Sequence, residues 1–196
     1  MIEIKNVKVK FKTFELAFND HTFKKNKITF ISGRNGSGKT TLLKSIASLI
    51  EYEGTIKSSG IITYNSQEPV LFNRSVYDNI TYPLKIRNLN IEEYKDSITD
   101  YAKVLDLTHL LDKNALKLSS GEKMKVSIIR SIIFNPDVVL LDEPTTHLDL
   151  ESIEELIVLL ENLKHKMSLI VVSHNKLFMD DLKDEEYNLG GNHVYR

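Results

Sequence analysis

Apolar and polar residues alternate over Ile2, Ile4, Val7, Val9 and Phe11 and again over Phe14, Leu16 and Phe18. That period of two predicts half-buried antiparallel strands at the start of the chain. Residues 28–31 form a short apolar run instead, a Gly-rich turn begins at Gly33, and Leu42, Leu43, Ile46, Leu49 and Ile50 share one face of a helix expected over 41–50. Gly54 and Gly60 bracket a predicted hairpin, and a short strand over 61–64 ends at Gln67 and Pro69. From about 73 to 115 strand character disappears; Tyr94, Ile98, Tyr101, Ala102 and Leu105 recur at helical spacing, predicting a pair of helices over 91–111. Residues 138–141 and 168–172 read as buried strands, with a helix over 153–163 between them.

Strands alternating with helices predict an α/β fold with a mainly parallel sheet, an N-terminal antiparallel β part and an inserted helical subdomain. The 196 residues suffice for one domain, taken as 1–196, with 1–72 and 116–196 as the core and 73–115 as the insertion. Lys plus Arg number 26 against 27 Asp plus Glu, so no basic excess exists to grip phosphates of nucleic acid, and no direct nucleic acid binding is expected. With no cysteine, disulfide frameworks and thiolate metal sites are excluded. The start, Met-Ile-Glu-Ile-Lys-Asn, lacks the layout of a signal peptide and reads as a cytosolic N-terminus. The longest apolar runs fall far short of the roughly 20 residues a membrane span needs, so any membrane role is expected to run through a partner.

Gly33-Arg34-Asn35-Gly36-Ser37-Gly38-Lys39-Thr40 fits the phosphate-loop pattern, Gly, four residues, Gly-Lys-Ser/Thr, between a predicted strand and a predicted helix. Glycines let backbone N–H groups approach an anion, and the helix that follows aims its positive end at the same place. Lys39 is expected on the β- and γ-phosphates of a nucleotide and the Thr40 hydroxyl on Mg²⁺, with Asn35, Gly36, Ser37, Gly38 and Thr41 completing the cradle. The apolar strand 138–141 ends in Asp142 and Glu143, where open α/β sheets place ligands. Asp142 is the expected second metal ligand and Glu143 the expected general base for water.

Leu118-Ser119-Ser120-Gly121-Glu122 resembles the signature sequence of ATP-binding cassette (ABC) ATPases. Gln67, Leu148-Asp149 and His174 stand where that family has its Q-loop glutamine, D-loop and switch histidine, and the order is the family's over almost the whole chain. The resemblance implies a P-loop NTPase core that binds and hydrolyses ATP with Mg²⁺. It implies that Ser119, Ser120, Gly121 and Asp149 complete the ATP site of a second copy, that Gln67 touches the metal, and that His174 senses the γ-phosphate. Phe11 aligns with the family's adenine-stacking aromatic, and Phe14 competes for that role.

Two departures stand out. Leu-Ser-Gly-Gly-Gln has become Leu-Ser-Ser-Gly-Glu, and Glu122, three residues after Ser119, can be absorbed in a capping box that opens a helix running to Asn135-Pro136. His21, His109, His165 and His193 are read as structural or exposed, and His147 as a turn residue. In transporters of the family a membrane subunit docks near the Q-loop, where Leu71, Phe72, Val76 and Tyr77 are either partner contacts or core. Residues 75–87 resemble ATPase subunits of importers of small anions or metal oxyanions, tungstate among them. Only 22 residues follow His174, so no appended regulatory domain is expected.

The resemblance implies an ATPase subunit that works with integral membrane permease chains, cytoplasmic and peripheral on the inner face of the cell membrane. A soluble ABC ATPase acting on ribosomes or DNA stays open as the alternative, since Thr145-Thr146-His147-Leu148-Asp149 resembles the ribosome-acting D-loop. A P-loop kinase or GTPase would need an acceptor site or a guanine-reading Asn-Lys-x-Asp element; that element does not occur, and such an enzyme would give no reason for the signature.

Overall fold

The N-terminal alternation changes parity between Ile4 and Val7, and the backbone absorbs the change. Strand β1 (Ile2–Lys10) pairs antiparallel with β5 (Glu53–Ser58), and their register shifts between Lys5 and Lys8 with Asn6 at φ 51°. The irregularity turns Ile2, Ile4, Val7 and Val9 all into the core. β1 also pairs antiparallel with β2 (Glu15–Ala17) and β3 (His21–Phe23). The computed structural model describes residues 1–190 and the backbone of a last strand over 194–195, which pairs with β2; His193 lies outside the described residues.

The second sheet is parallel. Its order is β6 (Ile62–Asn65), β7 (Val138–Asp142), β8 (Ser168–Val172), β4 (Ile28–Ser32) and β9 (Glu185–Asn188). β7 and β8 are buried at every position because both faces are covered. Ile28, Phe30, Val139, Leu141, Leu169 and Val171 face a core shared with helices α2 (Val76–Ile86), α3 (Lys95–Val104), α4 (Ser120–Ile132), α5 (Leu150–Leu163) and α6 (Lys176–Leu182). Ile31, Val138, Leu140, Ile170 and Val172 face a second core with α1 (Lys39–Ile46) and the antiparallel sheet. The parallel sheet is thus a middle layer whose strands all end on one edge.

Three expectations need correction. No hairpin lies between Gly54 and Gly60: Glu53–Ser58 is the single strand β5, which joins β1 in one sheet, and β6 joins β7 in the other, the Ile61 N–H reaching the Asp137 carboxylate at 2.7 Å at the crossing. The first helix starts at Lys39 and ends at Ile46 rather than spanning 41–50. Ser48 at φ 56° turns the chain, the Leu49 N–H closes back on the Lys44 carbonyl, and Leu49 is left exposed. Within 91–111 one α-helix, α3, stands between 3₁₀ turns at Ile91–Tyr94 and Thr108–Leu110, and the other helix of this segment is α2, upstream. α2 carries Pro83 in its interior, which obscured it, yet Ser75 caps its start by accepting from the Asp78 N–H. β9 was not expected either, because Glu-Glu-Tyr-Asn has no apolar run; it is an edge strand that buries only Tyr187.

Candidate functional site

The carboxyl ends of β4, β7 and β8 open onto a cleft of about 690 Å³. It is lined by Phe11, Phe14, Leu16, Asn35, Gly36, Gly38, Lys39, Thr40, Thr41, Gln67, Glu143, Thr146, Val172 and His174. Gly38 caps α1 at φ 94°, a left-handed backbone that a side chain resists, and so the loop turns directly into the helix. The ammonium of Lys39, almost fully buried, donates to the carbonyls of Gly33 (2.9 Å) and Arg34 (3.2 Å). It closes the loop around its own charge. The Ser37 hydroxyl is buried with no partner, an unspent donor or acceptor inside the loop.

Behind the loop, the Thr40 hydroxyl donates to Asp142 Oδ1 at 3.0 Å, and the Tyr64 hydroxyl donates to Asp142 Oδ2 at 2.9 Å. Asp142 is buried at the end of β7. Burial first, and then the neighbouring Asp142 charge, push the Tyr64 phenol well above its ordinary value, so it stays a donor. Tyr64 was missed by sequence reasoning; as an ordinary strand residue it carries no signal of its own.

Glu143 follows at φ 51°, a conformation that costs a non-glycine residue about 1–3 kcal/mol. Its N–H bonds to the Val172 carbonyl (2.8 Å) and its own carbonyl accepts from Thr146 (3.1 Å), which hold the turn. The turn directs the carboxylate at His174: Oε1 lies 3.3 Å from Nε2, and Oε2 accepts from the His174 N–H at 3.2 Å. Burial raises the Glu143 pKa, and the opposing pull of His174 and Lys39 does not cancel it. A carboxylate raised in this way is a better proton acceptor.

Phe11 and Phe14 stack at 4.5 Å between ring centroids, 16° from parallel, on the lip of the cleft. Both are partly exposed, so the two candidates for adenine form one aromatic surface.

Ser119, Gly121 and Asp149 lie elsewhere. They line a separate depression of about 300 Å³ with Glu122, Lys125 and His147, and Ser120 is exposed at the first position of α4. Ser119 and Glu122 form a reciprocal capping box: the Ser119 N–H donates to Glu122 Oε2 (2.6 Å) and the Glu122 N–H to Ser119 Oγ (3.2 Å). Burial opposes ionisation of Glu122, but these bonds keep its pKa below the ordinary value, so its charge is spent inside the cap. Asp149 caps α5 through the Ser152 N–H at 3.0 Å. His147 is an exposed turn residue at φ 67°. His21 is partly buried and stacks on Tyr187, as a structural histidine does. His109 and His165 line no part of the large cleft.

A third groove, of about 400 Å³, runs between β6, α2 and α4, with Val70, Phe72 and Ile86 exposed along it and Arg87 stacked on Phe134. Leu71 and Val76, candidates for partner contact, are buried in the core instead; Phe72 remains exposed and Tyr77 packs against the core.

Among the described residues no three His, Asp or Glu side chains cluster as a metal cage. The donors present fit Mg²⁺ bound jointly with a nucleotide: two hard oxygens, from Thr40 and Asp142, beside a phosphate loop whose Ser37 hydroxyl still lacks a partner. Among the described residues no helix is long and apolar enough to cross a membrane.

Comparison with known proteins matches a family model described as ABC transporter to residues 19–146. A tungstate uptake system ATP-binding protein of Peptoclostridium acidaminophilum is 38% identical over 166 residues, covering 79% of this chain and 77% of the relative. A molybdate/tungstate import ATP-binding protein of Pyrococcus abyssi is 35% identical over 165 residues, covering 78% of this chain but only 48% of the relative. Among solved structures, an archaeal ribosome recycling factor in complex with a ribosomal stalk protein matches with a TM-score of 0.82 at 28% identity, covering 95% of this chain and 36% of that one. A dimeric ATP-binding cassette in a post-hydrolysis state with ADP and Pi matches with a TM-score of 0.82 at 24% identity, covering 100% and 99% of the two chains, and shares the fold.

Proposed function

The chain belongs to the ABC transporter family, and from that premise we propose that it is the ATP-binding and ATP-hydrolysing subunit of a transporter, two copies closing over two ATP molecules. The observation that carries this reading is the division of the site. The phosphate loop, Thr40 with Asp142, and Glu143 with His174 share one cleft, while Ser119 and Gly121 line another depression of the same chain. A second copy can bring its own Ser119, Ser120, Gly121 and Asp149 to the open side of the first cleft. The start of α4 then supplies backbone N–H groups and serine hydroxyls to the γ-phosphate.

In this reading Phe11 or Phe14 stacks on adenine. The Lys39 ammonium leaves the loop carbonyls for the β- and γ-phosphates, and the loop from Gly33 to Thr41 wraps them. Thr40, Asp142 and Gln67 hold Mg²⁺, which when bound neutralises charge on the phosphate oxygens. Glu143 accepts a proton from the water that attacks the γ-phosphorus, while His174 orients Glu143; the bond to the bridging oxygen breaks and ADP and phosphate leave.

The groove beside β6, with Val70, Phe72 and Ile86 exposed, supports docking of a helix from an integral membrane permease. The similarity to the tungstate uptake protein supports an uptake system as that partner. The protein would then sit in the cytoplasm on the inner face of the membrane. Residues 73–115 form the helical insertion of a single catalytic domain.

The testing experiment uses Glu143→Gln with Mg·ATP in light scattering. The expected result is a stable dimer with little turnover; single chains at saturating nucleotide, with the permease supplied, would refute the reading. A second reading, a ribosome-acting ATPase, is favoured by the match to the recycling factor and by the 145–149 segment. Co-sedimentation of the trapped variant with ribosomes instead of membranes would select it.

A further inference from the structure

We propose that Tyr64 is a positioning residue for the metal-binding carboxylate: its hydroxyl pins one oxygen of Asp142 so that the other faces the Thr40 hydroxyl. The proposal rests on the nucleotide site described above and concerns a side chain that no motif covers.

The backbone of β7 alone does not orient this carboxylate. An aspartate turns about its last side-chain bond in a broad, roughly two-fold well, so hydrogen bonds must set the plane of the oxygens. Two bonds do so here. Thr40 holds Oδ1 from the phosphate-loop helix and Tyr64 holds Oδ2 from the neighbouring strand, and among the described residues no other donor reaches Oδ2.

The reach of Tyr64 follows from register. β6 and β7 are parallel with Tyr64 opposite Leu140, which puts Asp142 two residues farther along the same face, a diagonal neighbour within reach of a long aromatic side chain. The next residue, Asn65, points the other way and bonds Ser127 and Met124 of α4. β6 therefore ties the helix capped by Ser119 to the strand that ends at Asp142, two residues before its chain reaches Gln67.

A phenylalanine would fill the same volume against α1 and the sheet. Only the hydroxyl distinguishes tyrosine, and it donates to the carboxylate. Without that donor a buried oxygen is left unsatisfied and the carboxylate is free to turn away from Thr40.

The test compares the parent chain with Tyr64→Phe by titration with a fluorescent ATP analogue, once with Mg²⁺ and once with EDTA, alongside melting of the nucleotide-free proteins. The expected result is an affinity for the Mg²⁺ complex weakened about tenfold, with the metal-free affinity unchanged and the variant still folded. Equal Mg²⁺-complex affinities in the two proteins would overturn the role of Tyr64 while leaving the nucleotide site intact. An equal loss with and without metal would also overturn it, by making Tyr64 part of the general packing. Failure of the parent chain to bind the analogue at all would overturn the nucleotide site and this proposal together.

Discussion

Gly121→Ala probes the contact that joins the start of α4 to the turn after β7. A Cβ at Gly121 would stand 2.8 Å from the His147 carbonyl oxygen and 3.4 Å from Leu148 Cδ2. The leucine tip can swing aside, but the oxygen is backbone, in a turn held by the Thr146-to-Glu143 and Leu148-to-Thr145 bonds and strained at His147. Forcing a methyl group into such a contact costs about 1–3 kcal/mol. Alanine recovers part of that, since it is better than glycine in a helix by up to about 1 kcal/mol, and less in a first turn. The overpacking term wins, leaving a net loss of about 1–2 kcal/mol, or a melting temperature lowered by about 2–8 °C for a chain of this size.

The same shift moves the start of α4 against the turn that leads to Asp149, so ATPase activity of the assembled pair should fall. Affinity of the single chain for a fluorescent ATP analogue should change less than about twofold, because the cleft does not include Gly121. Scanning calorimetry and analogue titration read the two effects separately. An unchanged or raised melting temperature would refute the contact. A large loss of nucleotide affinity would refute the separation of the two depressions.

Lys39→Ala removes the charged donor at the centre of the loop and should weaken ATP binding by about 1.5–3 kcal/mol, the worth of a charge-assisted hydrogen bond; undiminished affinity in calorimetric titration would count against the loop assignment. Glu143 gives a pH signature. Its folded pKa is raised by burial, so the ionised form costs stability that the protonated form does not. Below the usual carboxylate range, about pH 4, the group is protonated in both states, and the cost enters as pH rises through the raised value. Glu143→Gln should therefore melt above the parent at neutral pH and lose that advantage in acid; a variant less stable at neutral pH would contradict the burial argument. In the parent, the acid limb of ATPase activity should lie above the ordinary glutamate value, as a pH–rate profile would read.

The candidate site was legible wherever it depends on local sequence. A phosphate loop needs its glycines, lysine and threonine within eight residues, and a capping box needs Ser119 and Glu122 three apart. Each can be read before anything folds. Asp142 and Glu143 were legible as candidates because they close an apolar run, and the ends of such strands are where open α/β sheets place ligands. Tyr64 was not legible, because its role comes from the register between β6 and β7, whose paired positions, such as Ile62 and Val138, lie 76 residues apart along the chain.

The boundary between local and long-range information accounts for the other differences. Gly60 marked a bend, but Gly54 lies inside β5 against the irregularity of β1, and which strand each segment would join depended on where β1 and β7 lay. Pro83 lowered the helical signal of α2, and packing of Val76, Ile80 and Leu84 in the core overrode it. β9 shows the same effect at a sheet edge, where Glu185–Asn188 gains its hydrogen bonds from β4 and needs only Tyr187 to anchor it.

By itself, then, the order of residues determined the phosphate loop, the acidic strand end, the capped signature helix and the α/β alternation, because each arises from interactions between near neighbours. Tertiary structure alone decided that β5 and β6 part company, that Tyr64 meets Asp142, and that the signature residues open on a different depression from the loop. Those outcomes come from strand pairing and layer packing, in which the contacting groups are far apart along the chain and only burial of the whole brings them together.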